Sequence, residues 1–366
     1  MKPLHRIPVS AGAGRYEVMI GPGAWDALPT IIARVCPAHR YALITDSGVA
    51  PSYATRLVVA LHANGHRADV FAFPAGEANK TRESWASVTD AMLEAGFGRD
   101  AAVVVVGGGV PGDLGGFVAA TYMRGLPWVQ VPTTLLAMVD ASVGGKTAVD
   151  TPSGKNLVGV FHPPSAVIAD PETLRTLPAR ELRAGLAEAV KHGAIADAGH
   201  FAWIAQAADQ LLATDTDALT ELVGRSVEIK ADVVSRDERE SGPRKMLNFG
   251  HTIGHAVEAA SAFRLLHGEA VAIGMVVEAR LGERIGVSAP GTSERLRGLL
   301  TRLQLPTSVP PEIPPAEVIG WTRADKKARA GRAEYTLLTR IGAADPAGGR
   351  WGHPVADEVV GEVLAG

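Results

Sequence analysis

Cysteine is almost absent, with Cys36 the only one in 366 residues. One thiol cannot close an intramolecular disulfide, so the chain fits a reducing compartment such as the cytosol. No stretch approaches the roughly 18 uninterrupted apolar residues of a membrane-spanning helix. The start Met1-Lys2-Pro3-Leu4-His5-Arg6 is followed by no apolar run of the signal-peptide kind. An excess of positive charge is also missing. The 36 Lys and Arg face 39 Asp and Glu, a net charge of -3, whereas a general nucleic-acid binder is usually basic. Charged residues make up 20%, too few for a disordered or halophilic chain, while 46% hydrophobic residues are ample for burial. Internal repeats and low-complexity tracts are lacking. The length is large for one core and points to two domains.

Short apolar runs separated by helical patterns fill the first half. Residues 41–46, 69–74, 102–106, 128–131 and 166–169 read as strands, and residues 82–95 and 114–122 as helices. The four consecutive valines Val103 to Val106 suit a strand buried on both faces. Such alternation predicts a parallel sheet with helices on its faces, and residues 5–20 an extra edge hairpin. From Pro178 onward the pattern is helical, with helices expected over 181–194, 218–236, around His251 and over 269–285. The next strand signal is Tyr335 to Leu338, and the Pro-rich stretch 306–315 reads as a surface connection. The expected fold is an α/β nucleotide-binding domain over residues 1–172 and a mainly α-helical metal- and substrate-binding domain over 173–366.

The valine strand runs into Gly107-Gly108-Gly109-Val110-Pro111-Gly112-Asp113. The spacing fits G-x-G-x-x-G, in which glycines let backbone N–H groups approach a pyrophosphate at a helix N-terminus. The companion acid of a dinucleotide fingerprint is missing, because the next strand ends in Val131-Pro132-Thr133-Thr134. A second candidate nucleotide contact is Gly76-Glu77-Ala78-Asn79-Lys80. Gly144-Gly145-Lys146-Thr147 resembles the end of a phosphate loop but lacks its first glycine, which argues against an NTPase. Lys146, and Lys155 in Gly154-Lys155-Asn156, lie in Gly-rich loops within otherwise apolar sequence. Lys230, Arg244 and the pair Lys326-Lys327 add cations in the second half. Several cations near one metal suit a substrate with two anionic groups.

The richest segment is Asn248-Phe249-Gly250-His251-Thr252-Ile253-Gly254-His255-Ala256-Val257-Glu258, with His267 downstream. Positions i and i+4 share a helix face, so His251 and His255 project together. Neutral imidazoles converging with a carboxylate make a divalent-metal site.

These blocks together resemble the 3-dehydroquinate synthase family of sugar phosphate cyclases, from about residue 40 to 340. The matching motifs are Gly107 to Phe117, Val131 to Leu136, Asp140 to Thr147, Gly154 to Gly159, Ala184 to Glu188, Leu247 to His255, and His267-Gly268-Glu269. The resemblance implies NAD and a divalent metal, Zn²⁺ or Co²⁺. It implies metal ligands at Glu188, His251 and His267, and moves His255 from the metal to the substrate phosphate region. Cofactor contacts fall on Asp46, Glu77, Lys80, Gly108, Gly109, Val110, Gly112, Asp113, Thr133, Thr134, Lys146, Lys155 and Thr176. Substrate and catalytic positions fall on Arg124, Asp140, Lys146, Asn156, Lys191, Lys230, Arg244, Asn248 and His255, with Lys326 or Lys327. Two departures are visible: Pro111 where an aliphatic residue is common, and Ala148-Val149-Asp150 for a more usual Gly-Val-Asn.

The implied substrate is a sugar acid phosphate, 3-deoxy-D-arabino-heptulosonate 7-phosphate, and a homodimer in the cytoplasm is expected, with no nucleic-acid or membrane partner. The implied reaction is a phosphate elimination and ring closure of the shikimate pathway with transient oxidation and no net redox. Alternatives are a cyclase acting on sedoheptulose 7-phosphate and a metal-dependent polyol dehydrogenase. Arg244 and Asn248 favour the carboxylated substrate.

Overall fold

A computed structural model describes residues 3–12, 14–324 and 333–366. The chain divides into two compact units, Met1–Leu177 and Pro178–Gly366. The division falls a few residues beyond 172, because the turn Pro171–Thr176 is tied into the first unit. There the Tyr53 hydroxyl donates to the Thr173 carbonyl at 3.1 Å and pairs with Thr176 Oγ1 at 2.6 Å.

The first unit contains β1 His5–Ala11, β2 Gly14–Ile20, α1 Ala24–Val35, β3 Arg40–Asp46, α2 Thr55–Ala63, β4 Arg67–Phe73 and α3 Arg82–Glu94. It continues with β5 Ala101–Gly107, α4 Gly109–Thr121, β6 Trp128–Pro132, β7 Lys146–Thr151, β8 Gly154–Phe161 and β9 Ala166–Ala169. Seven strands form one sheet in the order β1-β2-β9-β6-β5-β3-β4. The β1–β2 pair is the antiparallel edge hairpin, and every other neighbouring pair is parallel.

Side-chain alternation along β5 feeds two cores. Ala102, Val104 and Val106 pack with Leu28, Ile32, Leu57 and Leu61 of α1 and α2. Val103 and Val105 pack with Val88 and Met92 of α3 and with Leu114 and Val118 of α4. From β3 the chain moves outward to β4, and from β5 it moves the opposite way to β6. The C-terminal ends of β3 and β5 therefore flank a topological switch point, where open α/β sheets bind ligands. Asp46 and Gly107 stand at those two ends.

Two features depart from the sequence reading. Helix α4 begins at Gly109 rather than Leu114. Glycine hides this start, being a poor helix former, yet it allows close packing: a Cβ at Gly115 would lie 2.7 Å from Val105 Cγ2. Lys146 and Lys155, expected in Gly-rich loops, lie on the strands of the antiparallel hairpin β7–β8.

The second unit is helical: α5 Ala179–Ala196, α6 Ala198–Leu212, α7 Thr216–Arg236, α8 His251–Ala260, α9 His267–Arg284, α10 Thr292–Arg302, α11 Pro315–Ala324 and, at the end, α12 Asp357–Ala365. Four short strands, β10 Glu334–Tyr335, β11 Leu338–Arg340, β12 Ala343–Ala344 and β13 His353–Pro354, pair in twos. Within the Pro-rich connection, Ile313 is buried among α8, α9 and α11 residues. Close approach of three helices sets the site. A Cβ at Gly268 would overlap the Ala184 carbonyl, and one at Gly274 the Gly250 carbonyl. Helices α5 and α8 thus sit hard against α9. No helix among the described residues is long and apolar enough to cross a membrane.

Candidate active site

Those contacts in the second unit bring together side chains far apart in sequence. Glu188 on α5 is fully buried. Its Oε1 lies 3.5 Å from His251 Nε2 at the start of α8 and 3.6 Å from His267 Nε2 at the start of α9. Two ligand atoms each about 2.1 Å from a shared tetrahedral ion lie about 3.4 Å apart, so the spacing fits a metal. The opposite ring nitrogens are occupied. His251 Nδ1 donates to the Phe249 carbonyl at 3.1 Å, and His267 Nδ1 faces Glu258 Oε2 at 3.3 Å. Such outer partners set the ring orientation and, in the neutral imidazole, leave Nε2 for a metal. The His255 ring centroid lies 5.3 Å from that of His251 and 5.6 Å from that of His267. The three histidines offer nitrogens within 4.8 Å of one another.

Electrostatics treat the two rings differently. Burial, and next the Lys191 ammonium, hold His251 well below the usual imidazole range, so it is neutral. Burial opposes protonation of His267 too, but hydrogen bonds to Glu188 and Glu258 outweigh it and push the pKa up to about 9. Lys191, buried one turn along α5, pairs with Glu188 Oε2.

Other expected substrate residues of this unit lie on α7 and just before α8. Lys230 is buried on α7, and Arg244 is buried in the turn Pro243–Asn248. The Arg244 guanidinium donates to the Glu238 carbonyl, and its backbone N–H donates to Asp237 Oδ2 at 3.1 Å. Asn248 donates to Glu240 Oε1 at 2.6 Å. Lys326 and Lys327 lie outside the described residues.

In the first unit the glycine turn sits at the end of β5. Gly107 has φ 148°, a conformation few side chains tolerate. Gly108 is the N-cap of α4, which also carries Gly109, Val110, Gly112 and Asp113. The Thr133 N–H donates to the Gly107 carbonyl at 2.9 Å, and a Cβ at Gly108 would lie 3.0 Å from Thr134 Cγ2. Free N–H groups of a helix N-terminus beside glycines can take a pyrophosphate. Asp46 closes a tight turn, its Oδ1 accepting the N–H groups of Gly48 and Val49 at 2.8 and 2.9 Å.

Next to the glycine turn lies an ion cluster around a buried lysine. Lys80 is 3% exposed. Its ammonium lies 2.8 Å from Glu77, 3.2 Å from Asp113 and 3.5 Å from Asp150. Desolvation works against the charge of Lys80, but Asp113, Glu77 and Asp150 hold its pKa above the ordinary value. Burial raises the carboxyls of Asp113 and Asp150, opposed by Lys80. Lys155 Nζ lies 3.5 Å from Glu77 Oε1. Lys146, at the start of β7, and Arg124, at φ 70° after α4, are exposed. Asp140 sits in the turn Ala137–Ala141, and Thr176 pairs with Tyr53.

Two family models match adjoining stretches of the chain. The model of the 3-dehydroquinate synthase N-terminal region matches residues 70–184, and that of the C-terminal region residues 185–328. The chain belongs to the 3-dehydroquinate synthase family. It is 49% identical over 344 residues to a 3-dehydroquinate synthase of Xanthomonas oryzae pv. oryzae strain PXO99A, covering 91% of this chain and 92% of that one. A 3-dehydroquinate synthase of Symbiobacterium thermophilum is 48% identical, covering 90% and 93%. A solved 2-deoxy-scyllo-inosose synthase, complexed with carbaglucose-6-phosphate, NAD⁺ and Co²⁺, superposes with TM-score 0.91 at 26% identity over 98% of this chain and 99% of that one. A 2-epi-5-epi-valiolone synthase from Streptomyces hygroscopicus subsp. jinggangensis 5008, with NAD⁺ and Zn²⁺ bound, gives 0.87 at 29% identity over 99% and 98%.

Sequence reasoning about this 3-dehydroquinate synthase family member assigned no role to two acids, Glu258 and Glu278. Glu278, fully buried on α9, accepts the N–H groups of Gly250 and Ile253 at 2.7 and 3.1 Å. It caps the helix that carries His251, whose own N-cap Gly250 offers no side chain. The available signal was a lone acid within each apolar stretch, Ala256-Val257-Glu258-Ala259 and Met275-Val276-Val277-Glu278.

Proposed function

We propose that the chain converts 3-deoxy-D-arabino-heptulosonate 7-phosphate into 3-dehydroquinate and inorganic phosphate. The convergence of Glu188 Oε1 with His251 Nε2 and His267 Nε2 at 3.5 and 3.6 Å carries the reading, together with family membership. NAD supplies a reversible hydride acceptor and a divalent metal, Zn²⁺ or Co²⁺, supplies Lewis acidity toward the substrate hydroxyls. With both bound, oxidation at C5 would be reversed by the same NADH, so loss of phosphate from C7 and closure of C7 on C2 would carry no net redox.

Glu188, His251 and His267 hold the metal, and Glu258 and the Phe249 carbonyl orient the two rings. Asp46, Glu77, Lys80, Asp113, the Gly108–Gly112 turn, Thr133, Thr134, Lys155 and Thr176 hold the dinucleotide. Lys146, Asn156, Asn248 and His255 hold the phosphate, and Arg244 and Lys230 hold the carboxylate, where a guanidinium fork fits best. Asp140, Lys191 and one of Lys326 and Lys327 complete the substrate contacts. The substrate's own phosphate takes the C6 proton, so no side chain is assigned as that base.

Arg124 serves the site of a second subunit in a cytosolic homodimer. The exposed β8 side chains Leu157, Val158, Val160 and Phe161 support a second copy covering this strand.

The deciding assay supplies NAD⁺, Zn²⁺ and the heptulosonate phosphate and follows phosphate and NADH together. One phosphate per turnover without net NADH is expected. Accumulating NADH would make the chain a dehydrogenase, and faster turnover of sedoheptulose 7-phosphate would leave only the broader cyclase reading.

A further inference from the structure

The hairpin β7–β8 breaks register once. Val149 faces Val158 and Thr151 faces Gly154, so Lys155, Asn156 and Leu157 all stand opposite the single residue Asp150. A bulge re-aims the side chains it carries, and this one carries a proposed cofactor contact and a proposed substrate contact. Asn156 lies in the left-handed region at φ 55°. That conformation costs a non-glycine residue of order 1 kcal/mol and persists only when its surroundings enforce it.

Asp150 is bonded on two sides. Its Oδ1 accepts the Asn156 N–H at 2.8 Å. Its own N–H donates to the Lys80 carbonyl at 2.7 Å. The turn itself does not need Asp150, because Thr151 Oγ1 already donates to the Gly154 carbonyl and accepts the Ser153 N–H, each at 3.3 Å. What Asp150 adds is a link between the bulge and the loop that carries Glu77 and Lys80.

We propose that Asp150 is a positioning residue: it seats the bulge bearing Lys155 and Asn156 on the Lys80 loop, so that cofactor loop and substrate hairpin act as one piece. The inference rests on the roles proposed above for those residues. It also makes Asp150 equivalent to the Asn that is more usual here in the family pattern. An Asn side chain keeps the Oδ1 acceptor, so the seat is a hydrogen bond and not a charge. Lys80 retains Glu77 and Asp113 in either case.

The test is a double-mutant cycle on KM for the heptulosonate phosphate, with Asp150→Ala, Asp150→Asn and Asn156→Ala in the full-length protein loaded with NAD⁺ and Zn²⁺. Asp150→Ala should raise KM about tenfold, and Asp150→Asn should restore it to within about twofold. In the Asn156→Ala background, Asp150→Ala should add less than about twofold, because the residue it acts through is gone. Full additivity, or no rescue by Asn, overturns the proposal. Amide exchange at Asn156 reads the seat without turnover: fast in Asp150→Ala, and protected in wild type and in Asp150→Asn. A wild type that releases no phosphate would sink the proposed function while leaving this exchange comparison to decide on Asp150; equal exchange in all three proteins would overturn it.

Discussion

Replacing Glu258 by Gln removes the carboxylate that faces His267 Nδ1 at 3.3 Å. The amide can turn its NH₂ to the ring and favour the tautomer with its proton on Nε2, the nitrogen that faces Glu188. Loss of such an orienting partner lowers metal affinity about 10–100-fold, or ~1.4–2.7 kcal/mol. A second effect has the opposite sign. Without metal, His267 keeps its proton up to about pH 9, and an incoming ion must displace it. At pH 7 this competition weakens apparent affinity about a hundredfold. Wild-type affinity for Zn²⁺ should therefore climb about tenfold per pH unit from 7 toward 9 and then level off. Glu258→Gln withdraws one of the bonds that hold the proton, so its plateau begins at lower pH. The variant should bind Zn²⁺ about 10–100-fold more weakly at about pH 9.5, and closer to wild type at pH 7. Competition with a chromophoric chelator across this range measures both. Equal affinities at the high-pH end, or a flat wild-type profile, would refute the reasoning. The metal-free protein has a matching signature. A His whose folded pKa is raised adds stability that is complete below the unfolded value of about 6.5, and this is lost as pH rises through about 9. Its Tm should fall across that window.

His255→Ala should retain one metal per chain while losing turnover; loss of the metal would make His255 a ligand. Arg244→Leu should lower kcat/KM for the keto acid phosphate about tenfold to a hundredfold, since a charge-assisted hydrogen bond contributes about 1.5–3 kcal/mol. An analogue without the carboxylate should suffer much less, and equal losses would assign Arg244 to the phosphate or the fold. Glu278→Gln leaves one acceptor for two buried N–H groups, so residues 250–260 should lose about 1.5–3 kcal/mol of amide-exchange protection. Unchanged protection would mean that Gly250 and Ile253 find other partners.

Burial period is local, and so was readable in the sequence. The valines of β5 and the 3.6-residue rhythm of α5, α7 and α9 record which face each element buries, and that marked an α/β half followed by a helical half. The glycine turn and the histidine segment were legible for a similar reason, since a backbone that must approach an anion, or an imidazole pair one turn apart, leaves a signature within a few residues. The hairpin β7–β8 left none. Residues 155–161 are half-buried to exposed throughout, so no alternation marks the strand, and its bulge shifts the register as well. Strand order, and with it the switch point between Asp46 and Gly107, depends on pairings that no periodicity encodes. The same holds for Glu188, His251 and His267. Each lies on a different helix, and only close packing, with glycines at the start of α8 and on α9 meeting one another and Ala184 of α5, sets the two histidine nitrogens 3.5 and 3.6 Å from Glu188 Oε1. Glu258 and Glu278 read in the chain as stray charges on apolar helices. Their meaning arises in three dimensions, because a buried carboxylate is tolerated only where N–H donors or an imidazole meet it.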